Sequence, residues 1–196
     1  MYELRIHGRG GQGTVLASNM LAQALVEEGK HAVAIPSFGF ERRGAPVAAF
    51  LRVSDREIRS LTNIYNPDCI VCIDPTVSRA VDIFAGMKDG GTLIQASKRS
   101  LEDLDLPRNL GKVGLCDAVG IAMEIFKRPI TNSIMLGAFA RTTGMVSLAS
   151  LKNALQTADF RDAGLKQNML AIERGYEETT VYDLRKRAAA NAASVA

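Results

Sequence analysis

The 196 residues suit a single domain, and a chain of this length buries roughly 70% of the surface its unfolded form exposes without needing staples. Its 47% apolar and 23% charged residues are those of an ordinary globular protein and exclude extensive disorder. The net charge is only +3, and +2 of it lies between Asp183 and Ala196, where Arg185, Lys186 and Arg187 face one acid, so no nucleic-acid partner is expected.

Three cysteines, Cys69, Cys72 and Cys116, make an odd number, and no leader-like segment precedes them. Both features point to a reducing, cytoplasmic setting. No apolar run approaches the roughly 20 residues of a membrane span, so no membrane partner is expected.

In chain order, Tyr2, Leu4 and Ile6 alternate with Glu3, Arg5 and His7, the period of a strand. After Gly8 to Gly13, Leu16, Met20, Leu21, Ala24 and Leu25 make one helical face, which Gly29 ends. His31 to Ile35 reads as a strand covered on both faces. Val47 to Val53 and Glu57 to Ser60 flank Ser54-Asp55-Arg56 as the arms of a hairpin. Cys69 to Ile73 is a buried strand, followed by a predicted helix from Thr76 to Met87. Strands are expected at Thr92 to Ile94 and Val113 to Leu115, then a helix from Asp117 to Phe126. From Thr131 the chain reads as helical throughout, broken near Gly144 and Asp159. The alternation implies an α/β, doubly wound, mostly parallel sheet with helices on both faces, a β-hairpin insertion and a helical C-terminal part. The expected domain is 1–182, with a basic, alanine-rich tail at 183–196.

Gly8-Arg9-Gly10-Gly11-Gln12-Gly13 matches G-x-G-x-x-G directly between a strand and a helix. Glycines let the backbone approach a pyrophosphate, and the helix start at Thr14 supplies free N–H groups and a positive dipole end. The alternative is a turn serving only helix–strand packing. An NAD site would place an acid at the end of the second strand, but Pro36-Ser37-Phe38-Gly39 stands there, followed by Glu41, Arg42 and Arg43. Two guanidinium groups suit a further phosphate monoester, which leaves NADP and coenzyme A as candidate ligands. Arg42 and Arg43 could equally form a solvated loop or an interface pair. The candidate ligand-binding residues are therefore Gly8, Arg9, Gly10, Gly11, Gln12, Gly13, Thr14, Ser37, Arg42 and Arg43.

His7-Gly8-Arg9-Gly10-Gly11-Gln12-Gly13, then Glu41-Arg42-Arg43-Gly44-Ala45-Pro46-Val47, then Asn132 with Met135-Leu136-Gly137-Ala138 occur in an order that resembles the gamma subunit of the 2-oxoacid:ferredoxin oxidoreductases. The resemblance runs from Tyr2 to about Tyr176. It implies a complex that converts a 2-oxo acid and coenzyme A into an acyl-CoA and carbon dioxide. Thiamine diphosphate with Mg would lie on alpha and beta subunits, and iron–sulfur clusters on partners including a ferredoxin-like delta subunit. Electrons would pass to ferredoxin or to a flavin/NAD-linked acceptor subunit. This chain would contribute coenzyme A binding and assembly, with Glu41, Arg42 and Arg43 facing the ligand or a neighbouring subunit, and the helix of Asn132 and Gly137 packing rather than binding.

The residues agree on one point. Cys69 and Cys72 are three apart on a strand and point to opposite faces, so they cannot share a cluster, and buried thiols are expected. No acidic motif for Mg-diphosphate is present, and no residue of the chain is expected to be catalytic. His7 reads as a hydrogen bonder more than as an acid or base, and His31 has no expected role. Asp74 and Asp117 lie where ligand crevices form, but helix capping is the preferred reading of both. Phe38 and Phe40, if exposed, would mark a subunit contact. A stand-alone NADP-dependent reductase and a purely structural subunit are the competing readings; the first lacks a proton-donor pair beside the turn.

Overall fold

The computed structural model describes residues 1–36, 43–157 and 164–186. Seven strands form one sheet, β1 (Tyr2–Arg9), β2 (His31–Pro36), β3 (Pro46–Ser54), β4 (Cys69–Cys72), β5 (Gly91–Ala96), β6 (Leu110–Cys116) and β7 (Thr180–Asp183), in the order β2-β3-β1-β4-β5-β6-β7. β1, β4, β5 and β6 pair in parallel, whereas β3 runs antiparallel to both β1 and β2, and β7 antiparallel to β6. Five strands thus share a direction, the mostly parallel α/β sheet expected. Five helices accompany it, α1 (Thr14–Glu27), α2 (Ala118–Phe126), α3 (Asn132–Thr143), α4 (Leu148–Gln156) and α5 (Leu165–Glu177).

All five α-helices share one core cluster with Leu4, Ile6, Leu51, Val71 and Ile94, on one sheet face. The opposite face, with Ile70, Cys72, Leu93, Val113 and Leu115, is covered by Val77, Ile83 and Met87 and by loops carrying 3-10 turns at Val77–Arg79 and Leu101–Asp103. Both faces are therefore closed, the second by single helical turns. This is why Arg5 and His7, polar members of the β1 alternation, are buried.

α1 buries Ala17, Met20, Leu21, Ala24 and Leu25 and ends before Gly29, whose φ of 79° carries the chain out. Gly144, with φ 64°, ends α3 as expected, while the break near Asp159 lies outside the described residues. α3 and α5 cross at backbone contact: a Cβ on Gly137 would lie 2.0 Å from the Ile172 carbonyl oxygen, and one on Gly175 2.0 Å from that of Ile134. Gly137 is thus a packing residue.

Five expectations are corrected. Glu57 to Ser60 form no strand, because the partners of β3 are β1 and β2 and the turn at 54–56 has no edge to return to. β2 is a half-exposed edge strand, paired on one side only, not a strand covered on both faces. The helix expected at 76–87 reduces to the 3-10 turn Val77–Arg79. Arg5 Nη2 donates to the carbonyls of Ile83 (2.8 Å) and Ala85 (2.7 Å), which an α-helix would need for its own ladder. Asp74 therefore has no helix to cap, whereas Asp117 does cap α2, accepting from the Gly120 amide. Finally, the C-terminal part is not helical throughout: Thr180–Asp183 adds β7 to the exposed edge of β6.

Candidate functional site

β1 and β4 lie side by side, but their connections leave in opposite senses, β1 through α1 to β2 and β4 through the 76–87 loop to β5. Their carboxyl ends therefore flank a topological switch point, where α/β sheets form ligand crevices. The glycine turn sits at the end of β1 and Asp74 just beyond β4.

Gly11 (φ 89°) and Gly13 (φ 77°) take left-handed conformations that other residues rarely adopt. Gly13 is the N-cap of α1 and no side chain caps that helix. The first helical amides, from Thr14, have no intrahelical acceptor, so the positive end of α1 is unsatisfied where the turn opens. Gly11 is exposed, and among the described residues the side chain that a Cβ there would meet is that of Arg43, with Cγ at 3.7 Å. Arg43 is itself exposed beside the turn.

The remaining members of the motif build the turn. A Cβ on Gly8 would meet Thr14 Oγ1 at 2.3 Å, and one on Gly13 would meet Asn132 Nδ2 at 2.5 Å. Buried Asn132 begins α3, so the two helix starts abut, and Thr131 Oγ1 fixes this by donating to the Ile73 carbonyl (2.8 Å). The Gly10 amide donates to the Ala45 carbonyl (2.9 Å) and the Gly44 amide to that of Gly10 (3.0 Å), tying the turn to the strand entering β3. Ser37 and Arg42, with Phe38 and Phe40, lie outside the described residues.

Asp74 is the hub that sequence reasoning placed at a helix cap. Its Oδ2 accepts from Gln12 Nε2 (2.5 Å) and its Oδ1 from the Thr76 amide and hydroxyl (both 2.7 Å). Arg9 donates to Thr76 Oγ1 (2.9 Å), the Thr76 carbonyl (3.1 Å) and the Gly44 carbonyl (2.9 Å), with its Nε 3.6 Å from Asp74. Burial opposes ionisation of Asp74, but the Thr76 and Gln12 bonds and Arg9 outweigh it and hold the carboxyl below its usual range. Arg9 and Gln12 thus buttress the turn, and their functional groups are spent within the protein.

His7 is buried, and its Nε2 has no partner among the described residues. Burial, then the neighbouring Arg5, push the imidazole down to about 4 against the attraction of Asp82, so it is neutral at pH 7. A neutral, sealed imidazole is no general acid for solution substrates. Cys69 belongs to the core under the α-helices and Cys72 to the opposite cluster, the separation expected of i and i+3 on a strand. Among the described residues no group of three or more His, Cys, Asp or Glu could hold a metal, and no helix is long and apolar enough to cross a membrane.

Past Thr76 the crevice widens into a cleft of about 560 Å³ at the carboxyl ends of β4 and β5, which sequence reasoning did not find. Its wall residues come from two loops and its floor from Gln95, so no local motif marks it.

Comparison with known proteins adds the context of the turn. The family profile described as pyruvate ferredoxin/flavodoxin oxidoreductase matches residues 3–178. The NADH-dependent phenylglyoxylate dehydrogenase subunit gamma of Aromatoleum evansii is 70% identical, over 97% of this chain and 100% of its own length. The pyruvate/ketoisovalerate oxidoreductases common subunit gamma of Thermococcus kodakarensis is 48% identical, over 94% of this chain and 100% of its own. The crystal structure of pyruvate oxidoreductase subunit PORC from Thermotoga maritima has the same fold, with a TM-score of 0.77 at 38% identity, covering 92% of this chain and 97% of that one.

Proposed function

Because the chain belongs to the pyruvate ferredoxin/flavodoxin oxidoreductase family, as a gamma subunit of a multi-subunit oxidoreductase, we propose that it serves the conversion of a 2-oxo acid and coenzyme A into an acyl-CoA and carbon dioxide, and holds coenzyme A at its glycine turn. The observation that carries this reading is the uncapped N-terminus of α1, with exposed Gly11 in the turn before it and Arg43 beside that turn. Backbone amides and the helix dipole suit the diphosphate, and Arg43, with Arg42 and Ser37 from the adjoining segment, suits the 3′-phosphate. Positioning the thiol beside a partner chain's thiamine diphosphate contributes by proximity. Alpha and beta subunits supply the decarboxylation, and a ferredoxin-like delta subunit with iron–sulfur clusters carries the two electrons onward.

The 70% identical relative, by its name NADH-dependent and acting on phenylglyoxylate, makes an aryl 2-oxo acid with NAD as acceptor the first pair to test. The reaction is then 2-oxo acid, CoA and NAD⁺ giving acyl-CoA, CO₂ and NADH. The name of the Thermococcus subunit, common to pyruvate and ketoisovalerate oxidoreductases, supports leaving the choice of acid to partner chains. A purely structural role is the second reading, favoured by the engagement of Arg9, Gln12 and the Gly10 amide within the protein.

Gly11→Val in the assembled complex separates the two. A branched side chain over the amides should raise the KM for CoA about tenfold or more while kcat holds. Gly29→Val imposes the same backbone strain (φ 79°, nothing within 4 Å) far from the turn and should leave that KM unchanged. Arg43→Ala should erase the preference for CoA over dephospho-CoA. An unaltered KM in Gly11→Val leaves only the structural role.

A further inference from the structure

The cleft beyond Thr76 has the volume of a small-molecule site, about 560 Å³. Its floor is Gln95, only 7% exposed, whose carboxamide meets no hydrogen-bond partner among the described residues. The strand neighbours cannot supply one: Cys72, beside it in register, donates to the Asp74 carbonyl, and Leu115 on the other side is apolar. With no protein partner among the described residues, the carboxamide faces the cleft and is left to water or to a ligand there.

The walls specify that ligand. Phe84, Leu104 and Leu106 present apolar surface. The Phe84 wall is fixed in place because Arg5 holds the carbonyls on either side of it, those of Ile83 and Ala85. Arg79, Lys98 and Arg99 stand exposed at the cleft, with no salt bridge among the described residues. Asp105 adds an exposed acceptor, whereas Asp82 already accepts from the Phe84 amide.

We infer that this cleft binds an adenine nucleotide. The base lies on the Phe84 wall, and the Gln95 amide, a donor and an acceptor side by side, pairs with the amino group and N7 of adenine. The ribose hydroxyls reach Asp105, as carboxylates in α/β crevices receive them. The phosphates meet Arg79, Lys98 and Arg99. Two sources share this chemistry, free ADP and the nucleotide end of coenzyme A. The second rests on the proposed function and moves the 3′-phosphate from Arg43 to this cleft, which adjoins the turn through the Arg9–Thr76 bonds.

The test is calorimetric titration of the full chain with ADP, pyrophosphate and CoA. ADP should bind, pyrophosphate should bind at least tenfold more weakly, and Gln95→Leu and the Arg79→Ala/Arg99→Ala pair should each weaken ADP tenfold or more. Gln95→Leu sets an apolar side chain of similar size beside Leu93 and Leu115, and an unchanged melting temperature confirms its fold. If CoA is the source, CoA displaces ADP, and Gln95→Leu raises the KM for CoA in the complex; if free nucleotide is, ADP and CoA bind together. Absence of ADP binding, equal binding of pyrophosphate, or affinities within twofold in both variants overturns the assignment. An effect of Gln95→Leu on the KM for CoA without one of Gly11→Val removes the turn from CoA binding and leaves the cleft standing; the converse removes the cleft from CoA binding and leaves free nucleotide as its ligand.

Discussion

Gly137→Ala is expected to lower the melting temperature by roughly 6–12 °C, the equivalent of about 3 kcal/mol in a chain of this size. Ordinarily Ala for Gly stabilises a helix interior by about 1 kcal/mol. Here the added Cβ would lie 2.0 Å from the Ile172 carbonyl oxygen and 2.7 Å from the Tyr176 amide nitrogen. Both are backbone atoms of α5, so no rotamer change relieves the overlap and the helices must part. Gly175→Ala strikes the same crossing from the other side, against the Ile134 carbonyl, and should cost about as much. Since either change already separates the pair, the double variant should fall well short of the sum. Melting within 2 °C of wild type in both single variants would show that the crossing yields more readily than its geometry implies.

The second large effect is electrostatic and appears in acid. His7 binds its proton with a value near 4 in the folded chain, against about 6.5 when unfolded. Below 6.5 the unfolded state takes up the proton first, so stability falls with pH, by about 3 kcal/mol between pH 6.5 and 4. The cause is removal from water, reinforced by Arg5 on the same strand; Asp82, reaching from the 76–87 loop, offsets only part. Denaturant midpoints for wild type and His7→Gln should therefore diverge through this window, with the variant nearly flat, and converge above pH 7. Parallel curves, or an imidazole titrating near 6.5 by NMR, would refute it. Below about pH 4 Asp74 adds a loss of like sign, since its depressed carboxyl contributes stability only while ionised.

What could be read from the chain follows from where the determining contacts lie. α1 and β4 were legible because their signals are local, the apolar spacing from Leu16 to Leu25 closed by Gly29, and an unbroken apolar run from Cys69. The segment 76–87 was not, because Arg5, over seventy residues earlier, takes the carbonyls that helical spacing would have used. β7 was missed because four residues ending in a charge mean little until the edge of β6 is beside them. At the site, the turn stood out by its glycines, whereas the role of Asp74 needed β1 and β4 to be neighbours. Gln95 carried no signal at all; a lone amide in a strand becomes informative only when its surroundings offer it nothing.

The three thiols have a consequence for handling the protein. Burial raises Cys69 and Cys72 to about 12 and Cys116 to about 11, so at neutral pH the thiolate form is present at roughly one part in ten thousand or less. In a machine built to move electrons, such sulfurs neither intercept oxidants nor crosslink. They become alkylatable only when the sheet opens, which turns iodoacetamide uptake into an intrinsic clock for the protomer's excursions from its native state.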